Sequence, residues 1–119
     1  MKINFSEMYV DDSIKKAVLR IIDSRRYIKG RELESFEKEF ANFCSTKSGI
    51  GVSSGTSAIL ISLIAAGLKK GDEVIVPSHT FIATASPVKF LGLTPVYADI
   101  DPETYTIDVD HVKKLISSK

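Results

Sequence analysis

Cysteine is almost absent: Cys44 is the single one in 119 residues. One cysteine rules out an internal disulfide and fits a reducing compartment. It adjoins Phe43 at the end of a helical pattern, which predicts a buried, inert thiol and not a nucleophile. Charge of one sign is missing as well. Lys+Arg 16 against Asp+Glu 15 leaves a formal +1, so the chain carries no electrostatic footprint for nucleic acid or a charged membrane. Long hydrophobic runs are missing too. Met1 to Glu7 lacks the continuous apolar core of a signal peptide. The longest apolar run, Ala58 to Ala66, is too short to span a bilayer and is broken by Ser62. A cytoplasmic location is therefore expected. No Cys/His cluster offers a zinc site, and no carboxylate and base stand at the spacing of a hydrolase. No Gly-Lys-Ser/Thr follows a glycine turn, which excludes a Walker-type nucleotide loop.

What is present is the composition of a soluble globular protein, in a length that fits one domain with a real core. Asp11-Asp12-Ser13 stands before Ile14, Ala17, Val18, Ile21 and Ile22, whose spacing predicts an amphipathic helix. Arg25 and Arg26 fall at its end, where cations suit the helix dipole, and Tyr27 to Gly30 turns the chain. From about Glu32 a second helix is predicted. Leu33, Phe36, Phe40 and Phe43 recur along it at three and four, and this stripe reads as a core face. Ser45 to Gly49 reads as a turn and Ile50-Gly51-Val52 as a short buried strand. The helix from Thr56 to Leu68 is apolar nearly all round, so other elements should cover it on more than one side. Glu73 to Pro77 reads as a strand, and Phe81 towards Leu91 as another apolar helix that Pro87 interrupts or kinks. Thr94 to Asp99 gives a third strand, and Asp108-Val109-Asp110 opens a last helix with Val109, Val112, Leu115 and Ile116 inward.

Two helices within residues 12–44 thus precede strands and helices that alternate over residues 50–119. That pattern is α/β, with helices crossing over a mostly parallel sheet. Only about three strands are visible where open sheets have about four to six, so the sheet is expected to be incomplete. No repeat, low-complexity tract or linker marks a boundary inside the chain.

In an open α/β sheet, ligands sit where strands end and helices begin. Ser53-Ser54-Gly55-Thr56-Ser57 is one such place. The first turn of a helix leaves N–H groups without partners and carries partial positive charge, Gly55 permits close approach, and the hydroxyls of Ser54, Thr56 and Ser57 can donate to phosphate oxygens. Ser and Thr also serve as plain N-caps, so the turn by itself leaves capping and phosphate binding both open. Pro77 to Phe81 is the second such place. Phe81 offers a flat ring for stacking and His79 an imidazole, against the plainer readings of a core aromatic and an exposed loop residue. Asp99 and Asp101 stand near the same rim, although an Asp before Pro102 is commonly a turn former. Gly49-x-Gly51-x-x-x-Gly55 resembles a relaxed dinucleotide fingerprint, but its first two glycines precede and interrupt the strand instead of following it.

Three segments then stand in order: Val52-Ser53-Ser54-Gly55-Thr56-Ser57-Ala58, Gly71 to Pro77 with Ser78-x-Thr80-Phe81-Ile82-Ala83-Thr84-Ala85, and Thr94-Pro95-Val96 with Asp99-Ile100-Asp101-Pro102. Together they resemble the DegT/DnrJ/StrS family of pyridoxal-phosphate sugar aminotransferases, which have the aspartate-aminotransferase fold, fold type I. The helix with Phe36-Glu37 and Phe40-Ala41 behind Gly30 matches that family as well. The resemblance implies that residues 1–119 are the N-terminal portion of the large PLP-binding domain, a mostly parallel sheet with helices on both faces, incomplete here. It implies that Gly55, Thr56 and Ser57 hold the cofactor phosphate, that Phe81 stacks on its pyridine ring, and that Tyr27 to Gly30 lies near the sugar site. No role in the family corresponds to His79. The activity implied is transfer of an amino group from an amino acid, usually glutamate, to a keto sugar attached to a nucleotide, by a homodimer without nucleic-acid or membrane partners. The family's Schiff-base lysine and the aspartate that pairs with the pyridine nitrogen fall beyond residue 119. No catalytic residue is therefore expected in this chain, which alone should bind the cofactor weakly and not transaminate. Two other outcomes fit the same residues. One is a sugar-dehydrating relative with histidine in place of the lysine; the other is a short phosphate-binding or interaction protein without catalysis.

Overall fold

A computed structural model describes residues 6–118. The chain divides into two compact units, residues 1–51 and residues 52–119. In the first, α1 (Asp12–Ser24) opens where the Asp11 carboxylate accepts the N–H of Ile14 at 2.9 Å, an N-cap that satisfies one of the free donors of the first turn. The helix ends with Arg25 in the left-handed conformation, its N–H given to the Ile22 carbonyl. After the turn, α2 (Arg31–Phe43) starts behind Gly30. The strand expected at Ile50-Gly51-Val52 is absent, and this is a correction. The Gly51 N–H goes instead to the Glu37 carboxylate on α2 at 2.6 Å, and a strand requires a neighbouring backbone that these residues do not meet.

The second unit holds the sheet. It begins with α3 (Gly55–Ala65), capped by Ser54, and continues through β1 (Glu73–Pro77), a 3₁₀ turn (Ile82–Thr84), α4 (Ser86–Phe90), β2 (Thr94–Ala98) and α5 (Val109–Leu115). Among the described residues there are two strands where three were expected. They pair in parallel with Val74 opposite Pro95 and Val76 opposite Tyr97, and the crossover between them runs through the 3₁₀ turn and α4. The single helix expected from Phe81 to Leu91 is divided before Pro87. Proline has no N–H to give and none is needed within the first helical turn, so α4 begins at Ser86 with Pro87 inside that turn. Gly67 and Gly92, at φ of 77° and 73°, end α3 and follow α4 with left-handed turns that a side chain would strain.

The core lies in this second unit. Val76, Ala85, Val88 and Leu93 are buried together, with Leu63, Leu68, Val74 and Leu91 packed against them. α3 packs on α4 and the 3₁₀ turn, while α4 and α5 both pack on β2. Several expected core positions lie outside it. Phe36, Phe40 and Phe43 are exposed along α2; Phe36 stacks on Phe40 with ring centroids 5.6 Å apart, and Phe43 lies tilted against Phe40 at 6.3 Å. Cys44, expected to be buried, is exposed. Ile14, Val18 and Ile22 of α1, Ile61 and Ile64 of α3, and Val109 and Ile116 around α5 are likewise open to solvent. Periodicity identifies the apolar face of a helix but says nothing about whether an element of the same chain covers it. Among the described residues no helix is long and apolar enough to cross a membrane.

Candidate functional site

The Ser53–Ser57 turn is built by its own hydroxyls. Ser54 Oγ accepts the Ser57 N–H at 3.1 Å and lies 3.0 Å from Ser57 Oγ, which is also 3.2 Å from Ser53 Oγ. Three serine side chains thereby fix the start of α3. The Ala58 N–H goes to the Ser54 carbonyl, while the N–H groups of Gly55 and Thr56 have no acceptor among the described residues. These two donors, at the positive end of an eleven-residue helix, are what an anion would meet first. Gly55 is exposed, and a Cβ added there would meet nothing within 4 Å. The space beside the Gly55 Cα is open.

Of the expected phosphate group, Gly55 and Thr56 present free N–H donors, whereas the Ser57 N–H is committed to the cap and Ser57 can offer only its hydroxyl. The capping role of Ser54 was legible in its spacing. A serine three residues ahead of Ser57 stands as the first residue of a capping box stands to the fourth, with Ser57 in place of the usual Glu or Gln.

The second loop leaves the carboxyl end of β1. The Ser78 N–H donates to the Ala98 carbonyl at 2.7 Å, prolonging the strand pairing by one step, and Thr80 Oγ1 lies 2.8 Å from Thr84 Oγ1 across the start of the 3₁₀ turn. Phe81 is the extended residue that caps this turn, and its ring is 77% exposed. The plain core reading of Phe81 therefore does not hold: the ring has a free face. His79 is exposed and makes no hydrogen bond or ion pair among the described residues. The two loops belong to one unit through the packing of the 3₁₀ turn on α3, and no hydrogen bond runs directly between them.

The acidic residues serve the backbone. Asp101 Oδ1 accepts the N–H groups of Thr104 at 2.9 Å and Glu103 at 2.8 Å, and these donors, Thr104 first, hold its carboxyl below the usual value. It is a turn former. The Asp99 N–H donates to His111 Nδ1 at 3.0 Å, and Asp99 Oδ2 lies 3.3 Å from the same nitrogen, tying the end of β2 to α5. Twelve residues separate the two, a spacing that forms no recognisable motif, and sequence reasoning passed over His111. Tyr27 donates its hydroxyl to the Ile22 carbonyl at 2.8 Å. It lines a cavity of about 440 Å³ in the first unit together with Arg25, Arg26 and Lys29. Gly49 and Gly51 have a local explanation. A Cβ at Gly49 would lie 2.8 Å from the Glu37 carbonyl oxygen, and one at Gly51 would lie 2.5 Å from Leu33 Cδ1. They let the chain lie against α2, and the dinucleotide reading falls away.

Comparison with known proteins places this geometry. The chain is 45% identical to dTDP-3-amino-3,4,6-trideoxy-alpha-D-glucose transaminase of Streptomyces venezuelae over 103 residues, which are 87% of this chain and 27% of that enzyme. It superposes with a TM-score of 0.81 on the crystal structure of S. venezuelae DesV in complex with a ketimine intermediate, at 44% identity over 87% of this chain and 28% of that one. With a TM-score of 0.87 it also superposes on the E. coli GDP-4-keto-6-deoxy-D-mannose-3-dehydratase with bound hydrated PLP, at 32% identity over 95% of this chain and 31% of that one. The fold is that of a fold type I aminotransferase, represented by part of its α/β domain. The model of the DegT/DnrJ/EryC1/StrS aminotransferase family matches residues 8–119, and the chain belongs to that family. It spans about a quarter to a third of the length of the curated relatives it matches.

Proposed function

We propose that this chain is the cofactor-phosphate and ring-stacking part of a pyridoxal-phosphate aminotransferase that acts on a nucleotide-linked keto sugar with glutamate as amino donor. The parent enzyme would serve amino-sugar or cell-surface polysaccharide synthesis in the cytoplasm, as a homodimer. The observation that carries the reading is the start of α3, where the N–H groups of Gly55 and Thr56 have no acceptor among the described residues. Gly55 and Thr56 would hold the phosphate through these donors, the hydroxyls of Thr56 and Ser57 would add to them, and Phe81 would cover one face of the ring. When bound, pyridoxal phosphate supplies the electron sink that lets an amino group move between an amino acid and a ketone. This chain's share is to bind and orient. Its lysines do not stand in the family's Schiff-base motif, and Lys113 and Lys114 belong to α5.

Equilibrium dialysis of the 119-residue chain against pyridoxal phosphate, with pyridoxal as the control, tests the reading. Weak binding that depends on the phosphate and disappears in Phe81→Ala is expected; equal retention of both compounds would overturn it. With glutamate and pyridoxal phosphate, the purified chain should release no 2-oxoglutarate. Measurable release would contradict the proposed division of labour. A dehydrating parent is the second reading, supported by the superposition on the E. coli dehydratase. The same front portion would serve either chemistry.

A further inference from the structure

Phe81 lacks the packing that would aim its ring. The side chain is 77% exposed, and a ring with so little cover takes its direction from the backbone that carries it. That backbone is held on both sides. Upstream, the Ser78 N–H donates to the Ala98 carbonyl at 2.7 Å and fixes the loop to the end of β2; downstream, the Phe81 carbonyl accepts the Thr84 N–H at 2.9 Å. His79 and Thr80 stand between these two ties. His79 makes no hydrogen bond among the described residues, and Thr80 makes one, between its Oγ1 and Thr84 Oγ1 at 2.8 Å.

This hydroxyl pair straddles Phe81. Thr84 is half-buried and adjoins Ala85, which belongs to the core. The bridge therefore ties the residue before Phe81 to the part of the turn that the core anchors. A plain cap of the 3₁₀ turn is the other account of it, but that turn is already closed by the Thr84 and Ala85 N–H groups, given to the Phe81 and Ile82 carbonyls. What the side-chain bond adds is restraint on the residue it spans. Restraining an aromatic group before its ligand arrives reduces the freedom lost on binding. We propose that Thr80 and Thr84 are positioning residues, whose hydroxyl bridge holds Phe81 in the orientation that meets the pyridine ring of the cofactor. The proposal rests on the cofactor reading above.

The chain contains no tryptophan, so Phe81→Trp introduces a single indole whose fluorescence anisotropy decay reads the nanosecond freedom of the ring. In that background, Thr80→Val and Thr84→Val each keep the side-chain shape and remove one hydroxyl of the bridge. Both should free the indole, while Thr80→Ser and Thr84→Ser should keep it restrained. With Phe81 intact, each valine variant should weaken pyridoxal-phosphate retention in dialysis by about threefold, the scale of one exposed hydrogen bond. Each serine variant should bind as the wild-type chain does. Unchanged anisotropy in the valine variants, or serine variants that behave as the valine ones do, would overturn the proposal and leave the cofactor reading standing. A freer indole with unchanged pyridoxal-phosphate retention would instead remove Phe81 from the cofactor site, and the positioning role with it. Thr80 is exposed, so Thr80→Val decides the matter where Thr84→Val disturbs the fold.

Discussion

A methyl group added at Gly55 would touch no atom of its own unit, so the glycine is not there for internal packing. Its value lies in what approaches from outside. Gly55→Ala should raise the chain's stability by up to about 1 kcal/mol through helix propensity, while pyridoxal-phosphate binding falls. Urea unfolding and dialysis measure the two effects on one variant. If binding survives, the phosphate does not sit on this helix end. Gly49 is the opposite case. Its Cβ would press on the Glu37 carbonyl, which is backbone and cannot swing away, so Gly49→Ala should destabilise by about 1–3 kcal/mol, as overpacking does. A gain in urea midpoint would refute that. These two glycines look alike in the sequence, six residues apart around a serine turn. The turn residues were legible because capping chemistry is local: Ser54, Thr56 and Ser57 announce themselves. The role of Gly49 was not, because its neighbour Glu37 stands twelve positions earlier and only the fold brings them together.

Helices are the elements the sequence describes well. α1 and α2 lie where their spacing placed them, since caps and apolar periodicity are properties of a few consecutive residues. Strands depend on a partner. Ile50 to Val52 had the composition of a strand and found only a glutamate side chain, whereas Glu73–Pro77 and Thr94–Ala98 found each other. The N-cap of α1 makes a prediction at this scale. The Asp11 carboxyl is held below its ordinary value of 3.8, by the Ile14 N–H first and then by the Ser13 hydroxyl. Its ionised form is therefore favoured in the folded helix. The contribution is complete above that ordinary value and fades as pH falls below it, through the lower folded value. Helical circular dichroism should decline on acidification through this range. Asp11→Asn should keep the cap, which asparagine also makes, and should show a smaller decline. An unchanged acid profile in that variant would mean that the loss comes from elsewhere, Asp101 being the other carboxyl shifted the same way.

At the scale of the molecule, exposed surface outweighs the core. Large apolar side chains stand open to solvent in both units, Phe40 and Phe43 of α2 and Ile61 and Ile64 of α3 among them. What the sequence could not supply was this distinction between an apolar face and a covered one. Burial is concentrated at Val76, Ala85, Val88 and Leu93, so protection from hydrogen exchange should be strongest there. The Leu93 N–H, bonded to the Val88 carbonyl at 3.0 Å, should be among the slowest amides. The amides of α1 should exchange faster than these, because Ile14, Val18 and Ile22 are half exposed and no described element packs extensively on the helix. Protection of α1 equal to that of Leu93 would show that its apolar face is covered in solution, and the fast exchange argued from its exposure would be wrong.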